Sequence, residues 1–566
     1  MARGSLVNLV AMVSGAALTF GLTVLVSRWL QPAGAGAFFE LIALFTIAFT
    51  TMELGANTGL MRWISRARAV GGLDQVRRIV PIALLPVAVL GAGAAAAIWM
   101  TAPDLARVFL HGLAHGGGTV DIRIVAPLVP LGALSACIVD GARGFGRTWP
   151  YLAIEGLGKP ITRIALVLCV LLAGLGLHGA IIAWGIPVVG GLMASWVIFA
   201  VILRSEVPVT VGPQPARRRR GAQHGASLRA RRRAALHRAL HGARRRKGRH
   251  HGPPVPVKER RQSLRVEFWR FTAPRACQGI FQVIIVWLDI LLVGAMISRH
   301  AAGVYAAVSK LAMVGAFALE GTRLAISPQV SALLARGEHH HAAALYQTTT
   351  RWLMLASWPL YLAFAVFPAV VLGIFGSRYT AGAAALAVLS LAMLVNLGTG
   401  NVTVVLLMGG KSSWGAINTG AALIVNISLN LLLLPHLGIL GAAIAWGASI
   451  VVDNVAAMVE LRWVLGLALF GPGYGLTAAV TVGCFGVSGI VARVLLGQTL
   501  PALAVTLAVG IAAFAVALYS ARTPLQLAAL AAALRARTVP AAASRPQQAA
   551  YVKTTRLSVV RQGEHQ

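Results

Sequence analysis

The chain has 566 residues, of which 57% are hydrophobic and only 12% charged, yet its formal net charge is +34. Soluble globular domains carry about 25% charged residues, so the composition excludes an ordinary soluble enzyme. Long apolar stretches alternate with short basic segments. A helix needs about 20 apolar residues to cross about 30 Å of hydrocarbon, and the composition therefore predicts an all-α, polytopic membrane protein.

Taken in chain order, the apolar stretches predict about fourteen transmembrane helices. The first run, from Ser5 to Val26, is longer than the apolar core of a signal peptide, so we interpret it as a retained span. Six spans precede a long basic segment and eight follow it. The spans are predicted at 5–29, 36–58, 79–100, 122–142, 160–177, 180–203, 272–297, 303–326, 352–375, 381–408, 414–434, 439–463, 474–495 and 500–520.

These spans divide the chain into two six-helix lobes followed by two extra helices. We predict a first lobe at 1–204, a basic and disordered cytoplasmic linker at 205–270, a second lobe at 271–465, two further helices at 474–520, and a basic cytoplasmic tail at 521–566.

The basic segments alternate with the spans and predict an orientation. Connections from even to odd spans are rich in Lys and Arg, which by the positive-inside rule places both termini in the cytoplasm. Residues 204–270 hold 20 Lys or Arg and three Glu. We interpret this segment as a solvated topogenic loop, with contact to anionic lipid headgroups as the alternative. No aromatic platform accompanies the charge, so nucleic acid is not an expected partner.

An internal repeat relates the two predicted lobes. Residues 176–185 read GLHGAIIAWG and residues 438–447 read GILGAAIAWG, while AGAF at 35–38 matches AGVY at 302–305. A repeat of six helices gives both copies the same orientation in the membrane. Transporters built from such parallel repeats bind substrate between the lobes and rock one lobe against the other.

Charged residues within spans are costly and therefore informative. Asp289 and Lys310 lie at similar distances from the turn joining two antiparallel spans, which predicts an ion pair. Glu320 and Arg323 are three residues apart and can pair along one helix face. Glu53 has no such neighbour and is predicted to reach Arg62, to meet a cation or to be protonated.

The second lobe has a polar midplane formed by Asn396, Asn426 and Asp453. Two interpretations remain open for these residues. They bind a coupling ion or a sugar, or they form hydrogen bonds between helices that hold the lobe together; for the asparagines the second is favoured. No ATP-binding loop, cofactor motif or metal-ligand spacing accompanies them, so neither an enzyme activity nor a metal is expected.

Five basic residues are candidates for binding an anionic headgroup. If they face the space between the lobes, they form a cationic vestibule suited to a diphosphate. The alternative is that each one only anchors a helix end at the cytoplasmic surface. The candidates are Arg62, Lys159, Arg163, Lys310 and Arg323.

Several stretches resemble the polysaccharide exporter and oligosaccharide flippase family of the multidrug/oligosaccharidyl-lipid/polysaccharide (MOP) transporter superfamily. They are LQPAGAGAFFELIALFTIAFTTMELG from Leu30, DILL at 289–292, AGVYAAVSKL at 302–311, SPQVSAL at 327–333 and NISLNLLLLPHLGILGAAIAWG at 426–447. The resemblance implies two lobes around a central cavity, alternating access, and export of lipid-diphosphate-linked glycans across a bacterial inner membrane.

Two other functions remain possible at this point. An ion-coupled multidrug exporter of the same superfamily would need carboxylates facing a cationic drug, with Glu53, Asp289 and Asp453 as candidates. A scaffold without transport activity would instead recruit partners through the basic linker.

Overall fold

A computed structural model of the chain describes residues 2–70, 75–110, 117–206, 257–409, 412–464 and 466–520. Within these ranges the regular structure is helical, with no β-strand. The first half comprises α1 (Ala2–Glu53), α2 (Ala56–Val70), α3 (Val76–Met100), α4 (Ala102–Phe109), α5 (Gly117–Val125), α6 (Leu128–Gly144), α7 (Trp149–Tyr151), a π-helical segment (Leu152–Gly158), α8 (Lys159–Leu172) and α9 (Gly176–Glu206).

The second half follows the basic segment. It comprises α10 (Val257–Met296), α11 (Arg299–Ala312), α12 (Ala316–Ala335), α13 (His339–Val366), α14 (Pro368–Leu372), α15 (Ala383–Gly398), α16 (Val402–Met408), α17 (Ser412–Leu437) and α18 (Ile439–Val464). Two short 3₁₀ segments, Met313–Gly315 and Ser377–Gly382, lie between these helices. The final helices are α19 (Tyr474–Thr481), a π-helical segment (Val482–Val487), α20 (Ser488–Leu496) and α21 (Leu500–Ser520).

Eleven helical stretches in the described residues are long and apolar enough to cross a membrane, so the predicted number of fourteen is not confirmed. The difference arises at four of the predicted spans. The spans at 5–29 and 36–58 lie on one continuous stretch, Ser14–Ala69. The span at 160–177 falls on α8, which has only 14 residues. The span at 352–375 falls partly on α13, whose first turns are polar.

Helix α1 contains a break that explains the first of these differences. Gln31 has φ 58° and ψ 172°, a non-helical conformation that is followed by Pro32. Proline cannot donate the hydrogen bond that a continuous helix requires. The 52 residues of α1 therefore form two successive rods, in agreement with the two predicted spans at 5–29 and 36–58.

The predicted linker at 205–270 is too long at its C-terminal end. Helix α10 begins at Val257, and Phe268 within it is only 1% exposed. The apolar side chains of Leu264, Phe268 and Trp269 pack into the first-half core, which explains why this stretch is helical despite its basic composition. Residues 207–256 and the predicted tail at 521–566 lie outside the described residues.

The two halves meet along a seam formed mainly by α1 with α10 and α11, and by α2 with α10. At one end Gly36 and Gly303 bring α1 and α11 into backbone contact. At the other end, where α9 ends and α10 begins, Gly55 in the turn before α2 and Gly59 of α2 pack against α10. We call this second end the basic end. The seam is closed at both ends.

The last three helices attach to the second half through α13. Arg351 of α13 donates to the carbonyl of Pro472 (2.8 Å), and Arg493 of α20 donates to the carbonyl of Val366 (3.1 Å). Arg351 is buried and requires such a partner, whereas Arg493 is exposed; the two bonds join the last helices to α13.

Candidate functional site

A cavity of about 250 Å³ lies at the seam. Helices α1, α6, α8 and α9 form most of its wall, and two side chains from α10 and α11 complete it. Its lining combines aromatic, hydroxyl and charged groups. They are Phe39, Phe45, Phe49, Trp184 and Trp287; Thr19, Thr23 and Thr46; and Glu155, Lys159, Arg163 and Lys310.

Lys159 reaches the cavity from the first turn of α8 and is only 8% exposed. Its Nζ lies 2.5 Å from Glu155 Oε1 and 3.3 Å from Ser135 Oγ. Glu155 belongs to the π-helical segment, one turn before Lys159. The absence of a side chain at Gly191 gives the Lys159 stem its space, because a Cβ there would collide with Lys159 Cε. A buried ammonium group needs such a partner.

Arg163 and Lys310 face the cavity without an acidic partner. Arg163 Cζ lies 4.3 Å from the centroid of Trp184, and Lys310 Nζ lies 3.7 Å from the centroid of Trp287. These are cation–π contacts, which leave the positive charge in place. Neither group forms an ion pair within 4 Å in the described part of the chain. Among the described residues, the cavity lining therefore has three cations and one carboxylate.

The other two predicted cations do not line this cavity. Arg62 is exposed at the basic end, with its Cζ 3.7 Å from the centroid of Phe271. Arg323 pairs with Glu320 along α12, as the spacing predicts, and both side chains are largely exposed. Of the five predicted vestibule residues, Lys159, Arg163 and Lys310 line this cavity, and Arg62 and Arg323 do not.

Glu53 is buried near the cavity and accepts a hydrogen bond from Asn57 Nδ2 (2.9 Å). The charges of Asp140, Glu155 and Lys159 all act on it. It does not pair with Arg62, so that part of the prediction is wrong. Glu53 instead belongs to an electrostatic cluster that continues from the cavity toward the basic end.

The predicted ion pair between Asp289 and Lys310 is not formed. Asp289 is fully buried and accepts hydrogen bonds from Tyr305 (2.8 Å) and from Asn430 Nδ2 (2.8 Å). Lys310 turns instead to Trp287. Similar depth in the membrane does not bring the two side chains into contact, because they lie on different sides of their helices. Asp289 faces α17, and Lys310 faces the cavity.

Asn426 lies beside this carboxylate in α17. It is fully buried, and its side-chain oxygen has no hydrogen-bond partner within the described residues. The side-chain oxygen of Asn430 is also without one. Together with Asp289, these groups present oxygen atoms that can bind a small cation or a proton.

The remaining polar residues of the second half form bonds between helices. Asn454 Nδ2 donates to Asn396 Oδ1 (3.1 Å), and Thr399 donates to Asn454 Oδ1 (2.6 Å). Thr419 donates to Asp453 at 3.5 Å. These contacts join α15, α17 and α18, and they favour the structural interpretation of Asn396. No cluster of three or more His, Cys, Asp or Glu that could hold a metal occurs in the described ranges.

Two carboxylates near the seam, the half-buried Glu155 and the buried Glu40, are not among the residues predicted from the sequence. Glu155 was assigned to a connection between spans, although its spacing of four residues from Lys159 is the signal of a helical ion pair. Glu40 lies in the predicted second span and is 1% exposed, and neither of its oxygens has a hydrogen-bond partner in the described residues. It packs against Gly294 of α10, a contact that no sequence pattern predicts.

The helical bundle and the cavity at the seam between its halves define the class: this is a multi-pass membrane protein with a transporter fold. Residues 257–384 match the family model described as polysaccharide biosynthesis protein. The chain is 24% identical, over 177 residues, to the probable low-salt glycan biosynthesis flippase Agl15 of Haloferax volcanii. That alignment covers 30% of this chain and 36% of Agl15, so the match spans about a third of the relative.

Solved structures show the same fold over nearly the whole chain. The lipid II flippase MurJ in an inward closed conformation has a TM-score of 0.63 and 11% identity, covering 91% of this chain and 98% of MurJ. An inward-facing MATE family transporter of the MOP superfamily has a TM-score of 0.55 and 13% identity, covering 81% and 97%. The Vibrio cholerae MATE transporter VcmN has a TM-score of 0.55 and 13% identity, covering 82% and 97%. The predicted resemblance to this superfamily is confirmed.

Proposed function

We propose that this protein translocates a lipid-linked oligosaccharide or polysaccharide precursor across the membrane by alternating access between its two halves. One observation carries the proposal: the cavity at the seam is lined by Lys159, Arg163 and Lys310, with Glu155 as its one carboxylate. Guanidinium and ammonium groups are the usual partners of phosphate oxygens. A diphosphate headgroup is therefore the ligand whose charge this cavity complements.

The neutral part of the cavity suits a saccharide. Aromatic rings offer flat apolar faces to the C–H faces of sugar rings, and threonine hydroxyls hydrogen-bond to sugar hydroxyls. The volume of about 250 Å³ is below the roughly 300 to 1,000 Å³ of sites that enclose a small ligand. The halves must therefore separate at one end to admit the headgroup, while the lipid tail remains in the bilayer.

The membrane orientation is part of the proposal. The basic end faces the cytoplasm by the positive-inside rule, which places both termini there. From the resemblance to exporters we infer a bacterial inner membrane, where the basic linker would lie against anionic lipid headgroups.

The decisive experiment is flipping of a labelled polyprenyl-diphosphate saccharide in proteoliposomes. We expect Arg163→Ala and Lys310→Ala each to reduce the rate about tenfold, as loss of one charge-assisted contact does. Arg147→Ala is the matched control, because Arg147 is an exposed arginine paired with Glu206 far from the cavity. Wild-type rates in both cavity variants would refute the proposal.

The fold similarity to MATE transporters raises drug export as the alternative. A cationic drug needs an available carboxylate, and the cavity carboxylate, Glu155, is already paired with Lys159. Export of a fluorescent cation that survives Lys310→Ala but is lost in Glu155→Gln would favour this alternative. The scaffold hypothesis depends on residues 207–256. It is excluded if a variant lacking these residues flips the labelled substrate at the wild-type rate.

Asp289 and Asn426 are the residues we propose for coupling to an ion. Asn426 is buried beside Asp289, and the side-chain oxygens of Asn426 and Asn430 have no partner among the described residues, an arrangement that a bound cation would complete. We expect Asn426→Leu to preserve headgroup binding and to abolish any acceleration of flipping by a sodium or proton gradient. If gradient-driven flipping is unchanged, the cluster is structural.

A further inference from the structure

A second cationic feature lies at the basic end of the seam, outside the cavity. Arg62 of α2 and Arg275 of α10 both stack on the ring of Phe271, with their Cζ atoms 3.7 Å and 4.1 Å from its centroid. The two guanidinium groups are therefore held close to each other by one aromatic ring.

Neither of these charges is neutralised by an acid. Glu267, on the same helix as Phe271, pairs with Arg66 at 3.4 Å. Neither Arg62 nor Arg275 forms an ion pair within 4 Å in the described ranges, and the positive charge of Arg62 acts on Arg275. Arg62 is exposed and Arg275 is half-buried. A ligand from the membrane surface can therefore reach both groups.

The arrangement exists only while the basic end is closed. A Cβ on Gly59 would lie 2.7 Å from Phe268 Cζ and 2.8 Å from Thr272 Oγ1, so α2 and α10 are in close contact here. Phe268 is 1% exposed and belongs to the first-half core. Separation of the halves at this end would withdraw Phe271 and Arg275 from Arg62.

We infer that Arg62 and Arg275 form a binding site for a phosphate or diphosphate group at the basic end of the seam, and that its occupancy favours closure of that end. Each guanidinium can donate two hydrogen bonds to phosphate oxygens, and an anion between them relieves their mutual repulsion. A ligand that binds one conformation shifts the population toward it. The phosphate belongs either to an anionic phospholipid or to a polyprenyl-diphosphate lipid.

Hydrogen–deuterium exchange of the full chain in nanodiscs tests this site. The peptides to follow cover residues 56–70 and 264–276. In phosphatidylcholine discs, inorganic pyrophosphate at about ten times its Kd should favour the closed end about tenfold and slow exchange in both peptides. Discs containing phosphatidylglycerol form a second arm, and discs containing a polyprenyl diphosphate form a third.

Each arm has a defined meaning. If exchange slows with pyrophosphate or the polyprenyl diphosphate but not with phosphatidylglycerol, the site binds a diphosphate lipid. If exchange slows with phosphatidylglycerol, the site binds the phospholipid headgroup. No slowing in any arm overturns the inference. Arg62→Ala and Arg275→Ala should each abolish the response.

The matched control is Arg270→Ala, because Arg270 is exposed on the same helix. Equal loss of the response in this variant would mean that diffuse positive charge suffices, which also overturns the inference. Arg275→Lys, which keeps the charge, should retain a weaker response and shows that the fold is intact. Lys310→Ala should respond like the wild type, so failure of the cavity proposal and failure of this site are distinguishable.

Discussion

Gly36 of α1 and Gly303 of α11 pack backbone against backbone, and the contact is reciprocal. A Cβ on Gly36 would lie 2.9 Å from the nitrogen of Gly303, and a Cβ on Gly303 would lie 2.9 Å from the nitrogen of Gly36. The two residues occupy the same position in AGAF and AGVY, the two copies of the repeat. Reciprocal contact between equivalent positions is what a two-fold relation between halves produces.

This contact predicts that neither glycine tolerates a side chain. Gly36→Ala or Gly303→Ala should lower the free energy of unfolding by about 1 to 3 kcal/mol, because the added methyl group meets backbone that cannot rotate away. Thermal unfolding in detergent measures this. Gly93→Ala in α3 is the control, since a Cβ there meets no atom within 4 Å. Equal melting temperatures for all three variants would contradict the tight contact.

Glu155 is predicted to compete with a phosphate ligand for Lys159. Glu155→Gln removes the negative charge that lies 2.5 Å from Lys159 Nζ, so the affinity of the cavity for pyrophosphate should rise about tenfold. Lys159→Ala should lower it. Isothermal titration of the detergent-solubilised chain measures both, with Glu206→Gln as control because Glu206 pairs with Arg147 at the basic end. An unchanged affinity in Glu155→Gln would show that the ion pair is only structural.

Phe268 is predicted to hold the basic end closed. Phe268→Ala removes an aromatic side chain buried in the first-half core, a loss of about 3 to 5 kcal/mol when the site cannot collapse. Hydrogen exchange of residues 56–70 should therefore accelerate, while exchange near Gly303 stays the same. Val266→Ala serves as the control, because Val266 is 65% exposed on the same helix. Acceleration in both variants would mean that α10 is destabilised as a whole.

The hydroxyl of Tyr305 is predicted to stabilise the fold through Asp289. Tyr305→Phe leaves Asp289 Oδ2 without its donor at 2.8 Å, and a buried acceptor deprived of its partner costs about 1 to 3 kcal/mol. The melting temperature should fall accordingly, whereas Tyr519→Phe, at a site 71% exposed, should leave it unchanged. A wild-type melting temperature in Tyr305→Phe would show that Asp289 does not depend on this bond.

Some candidate residues were predictable because the interaction lies within one helix. The pair of Glu320 and Arg323 follows from a spacing of three residues, and the structure forms it. Lys159, Arg163 and Lys310 were identified as isolated charges near span ends or within spans, and they do converge on one cavity. The prediction of an ion pair between Asp289 and Lys310 was wrong for a physical reason. Depth along a helix follows from counting residues, but the direction in which a side chain leaves the helix depends on the neighbouring helices.

The amino-acid sequence by itself determined the all-helical membrane architecture, because each span needs only about 20 consecutive apolar residues, which is a local property. It also determined the repeat and the excess of positive charge. Only the tertiary structure decided that Arg62 lies against Phe271 and Arg275 rather than in the cavity, and that Glu155 neutralises Lys159. These arrangements depend on how helices distant in the chain rotate and pack against one another, and that geometry is set by the closed seam.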